Sequence, residues 1–180
     1  MYFNSFSKGF YDIKGDGNLK LVTDLNTRIR VSEKISESAY MYSKYNVISG
    51  DNPEDVSFYH FGSSHFHWII LLTNNITDRY TQWPMDPITF EKYIVDKYES
   101  PNDIHHYEIE QSSGNTTPTG PADYSNKIQV SSDISGATTV SNREYEERLQ
   151  DRYRQIKLLR RELLPVFLKE FDRIMGTLRH

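Results

Sequence analysis

The chain has 180 residues, 21 basic against 25 acidic side chains for a formal net charge of −4, no cysteine, and 13% aromatic residues, most of them tyrosine. This length suits one compact domain with an appendage, burying roughly 70% of the unfolded surface. The lack of cysteine excludes disulfide scaffolds, thiolate zinc sites and cysteine nucleophiles, and the acid surplus gives no electrostatic basis for binding nucleic acid.

The segment Met1 to Lys8 has no basic stretch leading into an apolar core, so no export signal is expected. The longest aliphatic run, Trp68 to Leu72, is far short of the ~20 residues of a membrane span, so no membrane partner is expected. Amphipathic rings suit surfaces half-buried in a partner, which favours an interaction protein. Residues 1–39 read as an N-terminal arm with a short helix. The arm alternates rings with small polar residues (Tyr2, Phe3, Phe6, Phe10, Tyr11) and is expected to dock on a partner. After the turn Lys14-Gly15-Asp16-Gly17-Asn18, Asp24 is placed to cap a short helix through Leu25 and Ile29. The polar stretch Val31 to Ser38 reads as helix end or loop.

Residues 40–110 read as a small module with a following helix and strand. Tyr40, Tyr42 and Tyr45 lead into Val47-Ile48 as a short strand that Ser49-Gly50-Asp51-Asn52-Pro53 terminates. Asn52 as N-cap, Pro53 in the first turn and the acids Glu54 and Asp55 near the positive helix end predict a helix over Pro53 to His60, closed by Gly62. Ser63-Ser64 start a second helix whose run Phe66 to Leu72 is too continuous for a solvent-facing stripe, so it belongs to the core. Asn74-Asn75 tolerate the left-handed exit. Pro84 and Pro87 fix the entry to a helix carrying Phe90, Tyr93 and Ile94, and Ile104 to Ile109 reads as a strand.

Residues 111–140 read as a Ser/Thr/Gly-rich loop or hairpin with return arm Lys127 to Val130, too poor in apolar residues to offset its own ordering entropy. Residues 141–180 read as one long amphipathic helix opened by the capping box Ser141-Asn142-Arg143-Glu144. Leu149, Ile156, Leu159, Leu163, Phe167, Phe171, Ile174 and Leu178 form a narrow seam along it, expected to bind partner helices. Pro165 should kink it. Truncation at Ser141 is expected to abolish partner binding and leave the module folded.

The sequence assigns no catalytic residue, metal ligand or cofactor. His65 and His67 stand two apart on a helix, where side chains diverge, and His105 and His106 are adjacent on a strand, where they face opposite sides. Asp51, Glu54 and Asp55 are routine helix-start acids rather than an acid–base pair. There is no Gly-x-Ser-x-Gly elbow and no phosphate loop.

The order Tyr45-x-Val47-Ile48, Gly50-Asp51-Asn52-Pro53-Glu54-Asp55-Val56, short helix, Gly62, hydrophobic helix, Asn74-Asn75-Ile76 resembles the LysM module, a βααβ unit. With Tyr59-His60-Phe61-Gly62, His67 to Leu72, Trp83-Pro84, Lys97-Tyr98, the His106-Tyr107-Glu108 strand and Arg154 to Leu159, most of the chain outside Gln111 to Val140 resembles the LysM-like baseplate wedge subunits of contractile-tailed, T-even-type bacteriophages. The resemblance implies an α+β protein assembled into the tail baseplate of the virion after synthesis in the host cytoplasm. It also implies a structural, non-enzymatic function: clamping neighbouring wedges around the central hub. The implied partners are helical-bundle wedge subunits, the sheath-initiating protein and hub proteins. LysM units also bind N-acetylglucosamine polymers. Under that alternative the groove residues are Gly50, Asp51, Asn52, Pro53, Asn74 and Asn75.

Overall fold

In the computed structural model, which describes residues 2–25, 29–32, 38–111 and 126–177, helices and short sheets mix in an α+β arrangement. The chain divides into two compact units, Met1–Pro84 with Arg154–His180 and, inserted between these halves, Met85–Tyr153. These units cut across the expected segments, because the strand that closes the first unit lies far along the chain.

The first unit opens with a 3₁₀ turn, Tyr2–Ser5, then a two-stranded antiparallel ribbon of β1 (Lys8–Asp12) and β2 (Leu19–Thr23). The connecting turn is built on Asp12, whose carboxylate accepts backbone N–H bonds from Lys14, Gly15, Asp16 and Gly17 at 2.7–3.3 Å. Those bonds, from Gly17 first, hold its carboxyl below the usual range. Gly15 and Gly17 sit at φ 70° and 79°, where a side chain would be strained. The expected helix after Asp24 falls partly outside the described residues, and its described positions Asp24, Leu25, Ile29 and Arg30 carry no regular structure.

β3 (Tyr42–Asn46) leads to α1 (Pro53–Phe61), α2 (His67–Thr73) and the one-turn α3 (Arg79–Gln82). The helix boundaries follow the local signals. Pro53 occupies the first turn of α1, Asp55 accepts the Asn52 backbone N–H at 3.0 Å, and Gly62 ends the helix at φ 81°. Asn75 turns the chain out of α2 at φ 54°. The sheet is completed by β7 (Gln155–Leu159), antiparallel to β3 with Tyr42 opposite Leu159 and Tyr45 opposite Ile156. After it, α6 (Leu164–Thr177) ends the described chain.

The single long C-terminal helix is therefore corrected to helix, strand, helix: α5 (Asn142–Arg154), β7 and α6. Ile156 and Leu158 alternate with the exposed Gln155 and Lys157, a period of two that β3 converts into a ladder. The same residues satisfy a helical spacing, and tertiary pairing decides between the two. Pro165 lies in the first turn of α6, where its missing N–H has no partner to lose, so it starts a helix instead of kinking one.

Val47, Val56, Ile70, Trp83, Ile156 and Leu158 form one buried cluster, Tyr42, Ile69 and Leu159 a second, and Phe6, Phe171 and Met175 a third. The Trp83 indole N–H donates to the Asp51 carbonyl at 2.8 Å. Asn74 fastens β7 to the end of α2, its amide donating to the Lys157 carbonyl at 2.8 Å while its Oδ1 accepts the Lys157 N–H at 2.8 Å. Asn74→Ala removes both bonds and is expected to lower the stability of this unit by about 2 kcal/mol in urea titrations. Asn74→Asp keeps the acceptor and is expected to fall between Ala and wild type.

The second unit holds α4 (Pro87–Lys97) and a three-stranded sheet in the order β5-β4-β6, built from β4 (Ile104–Gln111), β5 (Asn126–Val130) and β6 (Thr138–Ser141), followed by α5. Of the expected loop or hairpin, the hairpin alternative forms between β4 and β5, with Ile109 opposite Ile128; the residues joining them, 112–125, lie outside the described residues. Ser141 forms one half of the expected capping box, accepting the Glu144 N–H at 3.2 Å, whereas the Glu144 carboxylate pairs with Arg148.

The interior here is charged. Buried Glu108 takes two bonds from Arg148 at 2.7 and 2.9 Å and one from Lys127 at 2.8 Å. Buried Glu146 takes bonds from Lys97 and the Tyr98 hydroxyl, each at 2.7 Å. Hydrogen bonding by Arg148, then Lys127, holds the Glu108 carboxyl at about 2.

Candidate interaction surface

The arm residues separate according to what they meet. Phe6 is 3% exposed and packs on Phe171 and Met175, so it anchors the N-terminus to α6 rather than to a partner. Phe3 is half-exposed, and Phe10 and Tyr11, 73% and 62% exposed, stand on β1. Tyr2 belongs to the 3₁₀ turn, and its side chain lies outside the described residues.

The helix seam does not exist as a solvent-facing stripe. Ile156 and Leu159 are buried on β7, and Phe171 is buried on α6. Leu163 and Phe167 pack against the cluster around Ile69, Ile174 is 37% exposed, and Leu149 is half-buried on α5 in the other unit. Leu178 lies outside the described residues. These residues are apolar, but they do not share one helix, and most are spent on the chain's own core.

The groove residues of the glycan alternative are likewise partly occupied. Pro53 is buried, the Asp51 carbonyl holds Trp83, and the Asn74 side chain holds Lys157. Gly50, at φ 93°, and exposed Asn52 form the turn before α1. Of the six, Asn75 alone lines the cleft of about 630 Å³ bounded by Phe3, His65, Trp68, Leu71 and Ile76.

The surface that sequence reasoning identified only through Phe10 and Tyr11 is the β1–β2 ribbon. Phe10 lies opposite Leu21 on one face, next to Leu19, while Tyr11 lies opposite Lys20 on the other. Ile13, Leu19, Leu21 and Leu25 are all more than half exposed. The available signal was two alternating five-residue runs flanking a glycine-rich turn, a hairpin pattern. In the second unit α4 also exposes apolar side chains, Ile88 and Val95, one above the other at a spacing of seven residues.

Among the described residues, no three His, Asp or Glu side chains are placed to ligate one metal ion. His105 stacks on Tyr145 with ring centres 3.9 Å apart, and its Nδ1 meets that of His106 at 2.8 Å. Burial, then the neighbouring His106, pushes the His105 pKa down. No helix of the described residues is long and apolar enough to cross a membrane. Compared with models of protein families and with curated proteins, the chain matches none.

Proposed function

We propose that this chain is a structural component of a bacteriophage tail baseplate wedge that clamps neighbouring subunits together around the hub. The observation that carries the reading is the display of large apolar side chains by both units, Phe10, Tyr11 and Leu21 in the first and Ile88 and Val95 in the second. Scattered apolar residues are ordinary on a surface, but those gathered on one ribbon and along one helix are suited to protein contacts. A chain with such a face on each of two units can hold two neighbours, as ring assemblies require of their connecting parts.

We read β3, α1, α2 and β7 as the βααβ core of a LysM-like module, with the second unit inserted before its closing strand. The sequence motifs from Gly50 to Ile76 support this reading, as does the antiparallel pairing of β3 with β7. The proposed partners are helical-bundle wedge proteins, the sheath-initiating protein and the hub.

Cross-linking mass spectrometry on purified particles tests the clamp through exposed lysines of each unit, Lys44 and Lys169 in the first and Lys92 in the second. Links from both units to other tail proteins are expected. Absence from particles together with sedimentation on peptidoglycan would replace the clamp with glycan binding.

A further inference from the structure

We propose that the β1–β2 ribbon is a strand-addition site: an extended segment of a neighbouring protein subunit pairs with one of its open edges and covers its apolar face. This deepens the protein-partner reading above and rests on it.

The register fixes which backbone groups are open. The Asp24 N–H donates to the Ser7 carbonyl at 2.9 Å, continuing the ladder one step beyond Lys8 opposite Thr23. Hydrogen-bonded and non-hydrogen-bonded pairs alternate along an antiparallel ladder. The bonds inside the ribbon therefore belong to the Gly9–Val22 and Tyr11–Lys20 pairs. Phe10 on β1, and Leu19 and Leu21 on β2, turn their N–H and C=O groups away from the ribbon. Among the described residues the sheet contains these two strands alone, so neither edge is covered by a third.

A two-stranded ribbon is marginal in water unless a third strand or a packed face supports it. This one also exposes Phe10, Tyr11, Ile13, Leu19, Leu21 and Leu25. Phe10, Leu19 and Leu21, each more than half exposed, share one face of the ribbon and leave an apolar area there that a partner can bury. A second copy pairing edge to edge would satisfy the backbone but leave the Phe10, Leu19 and Leu21 face in water, so the area favours a different subunit that supplies both a strand and an apolar cover. A lipid surface would accept the rings but offers no partner to the open N–H and C=O groups. The turn clamped by Asp12 holds the ribbon ready, which reduces the ordering cost of association.

Amide-resolved hydrogen exchange on the free chain and on the chain in assembled particles is the test. In the free chain the Phe10 and Leu21 amides are expected to exchange freely while those of Tyr11 and Val22 are slowed. In particles one of the two open amides becomes protected at least about tenfold, the equivalent of one backbone hydrogen bond. Phe10→Pro is compared with Phe10→Ala, and Leu21→Pro with Leu21→Ala. Proline at these positions deletes only an outward N–H, so on the edge that is used it should lower incorporation about tenfold below alanine. Cross-links without protection of either amide, together with equal incorporation of each proline and alanine pair, would overturn strand addition and leave the clamp standing. Absence of cross-links would remove both. Edge protection already present in a self-associated free chain, or gained on phosphatidylcholine–phosphatidylglycerol vesicles instead of in particles, would also overturn it.

Discussion

A chain ending at Tyr153 is expected to lose the cooperative unfolding transition reported by tryptophan fluorescence. Both tryptophans, Trp68 and Trp83, lie in the first unit. The truncation removes Ile156, Leu158, Leu159, Phe171 and Met175, all buried there, and strips β3 of its ladder partner. Each large-to-small change at such positions costs ~2–5 kcal/mol. Their combined loss is at least as large as the ~5–15 kcal/mol that holds a typical domain folded, once the lost β3 ladder is added. The result expected from the sequence, a module that survives truncation at Ser141, is thereby reversed. Leu159→Asp in the full chain should reproduce the loss, because it places a carboxylate at a site only 1% exposed between Tyr42 and Ile69. A urea midpoint equal to that of the full chain in either protein would show that β7 is dispensable.

The second large effect is in the other unit. Glu108→Ala leaves Arg148 and Lys127 facing an empty site and is expected to cost about 3 kcal/mol, the lower end for breaking a buried pair, because both cations are more than a third exposed. Hydrogen exchange of the β4 amides reports it without interference from the tryptophan-bearing unit. The pH dependence follows from the direction of the shift. The Glu108 carboxyl, held at about 2 in the folded chain, titrates near 4.3, the usual value, when unfolded. Between these values the unfolded chain binds the extra proton, so stability rises with pH. The contribution is complete above about pH 5 and is lost as pH falls through about 4 towards 2. The difference in stability between wild type and Glu108→Gln should therefore shrink over that window. A constant difference from pH 7 to pH 2.5 would contradict the ion pair.

The helices whose ends are set by neighbouring residues were legible without a structure. Asn52, Pro53 and Gly62 bound α1, Pro87 opens α4, Asn75 turns the chain out of α2, and Ser141 caps α5. Caps, prolines and left-handed exits act over a few residues, so the sequence states them directly. The β4–β5 hairpin was legible only as an alternative to a loop, because its two strands pair across residues 112–125. The candidate surface was half legible: Phe10 and Tyr11 were expected in a docking arm and are exposed, but the pairing of Phe10 with Leu21 was not read, and Phe6, expected to dock on a partner, is buried against the chain's own Phe171 and Met175.

What only the tertiary structure decided is where remote segments meet. Gln155 to Leu159 carries apolar residues at spacings that suit either a helix or a strand, and no local cue separates them. β3, the Asn74 amide and the cluster around Ile70 separate them, and all three come from the other half of the first unit. The sequence by itself therefore determined the α+β content, several of the helix ends and the apolar residues available for burial. Which of those residues close the core and which are left on the ribbon depends on a pairing between distant strands, whose free energy appears only once both are in place.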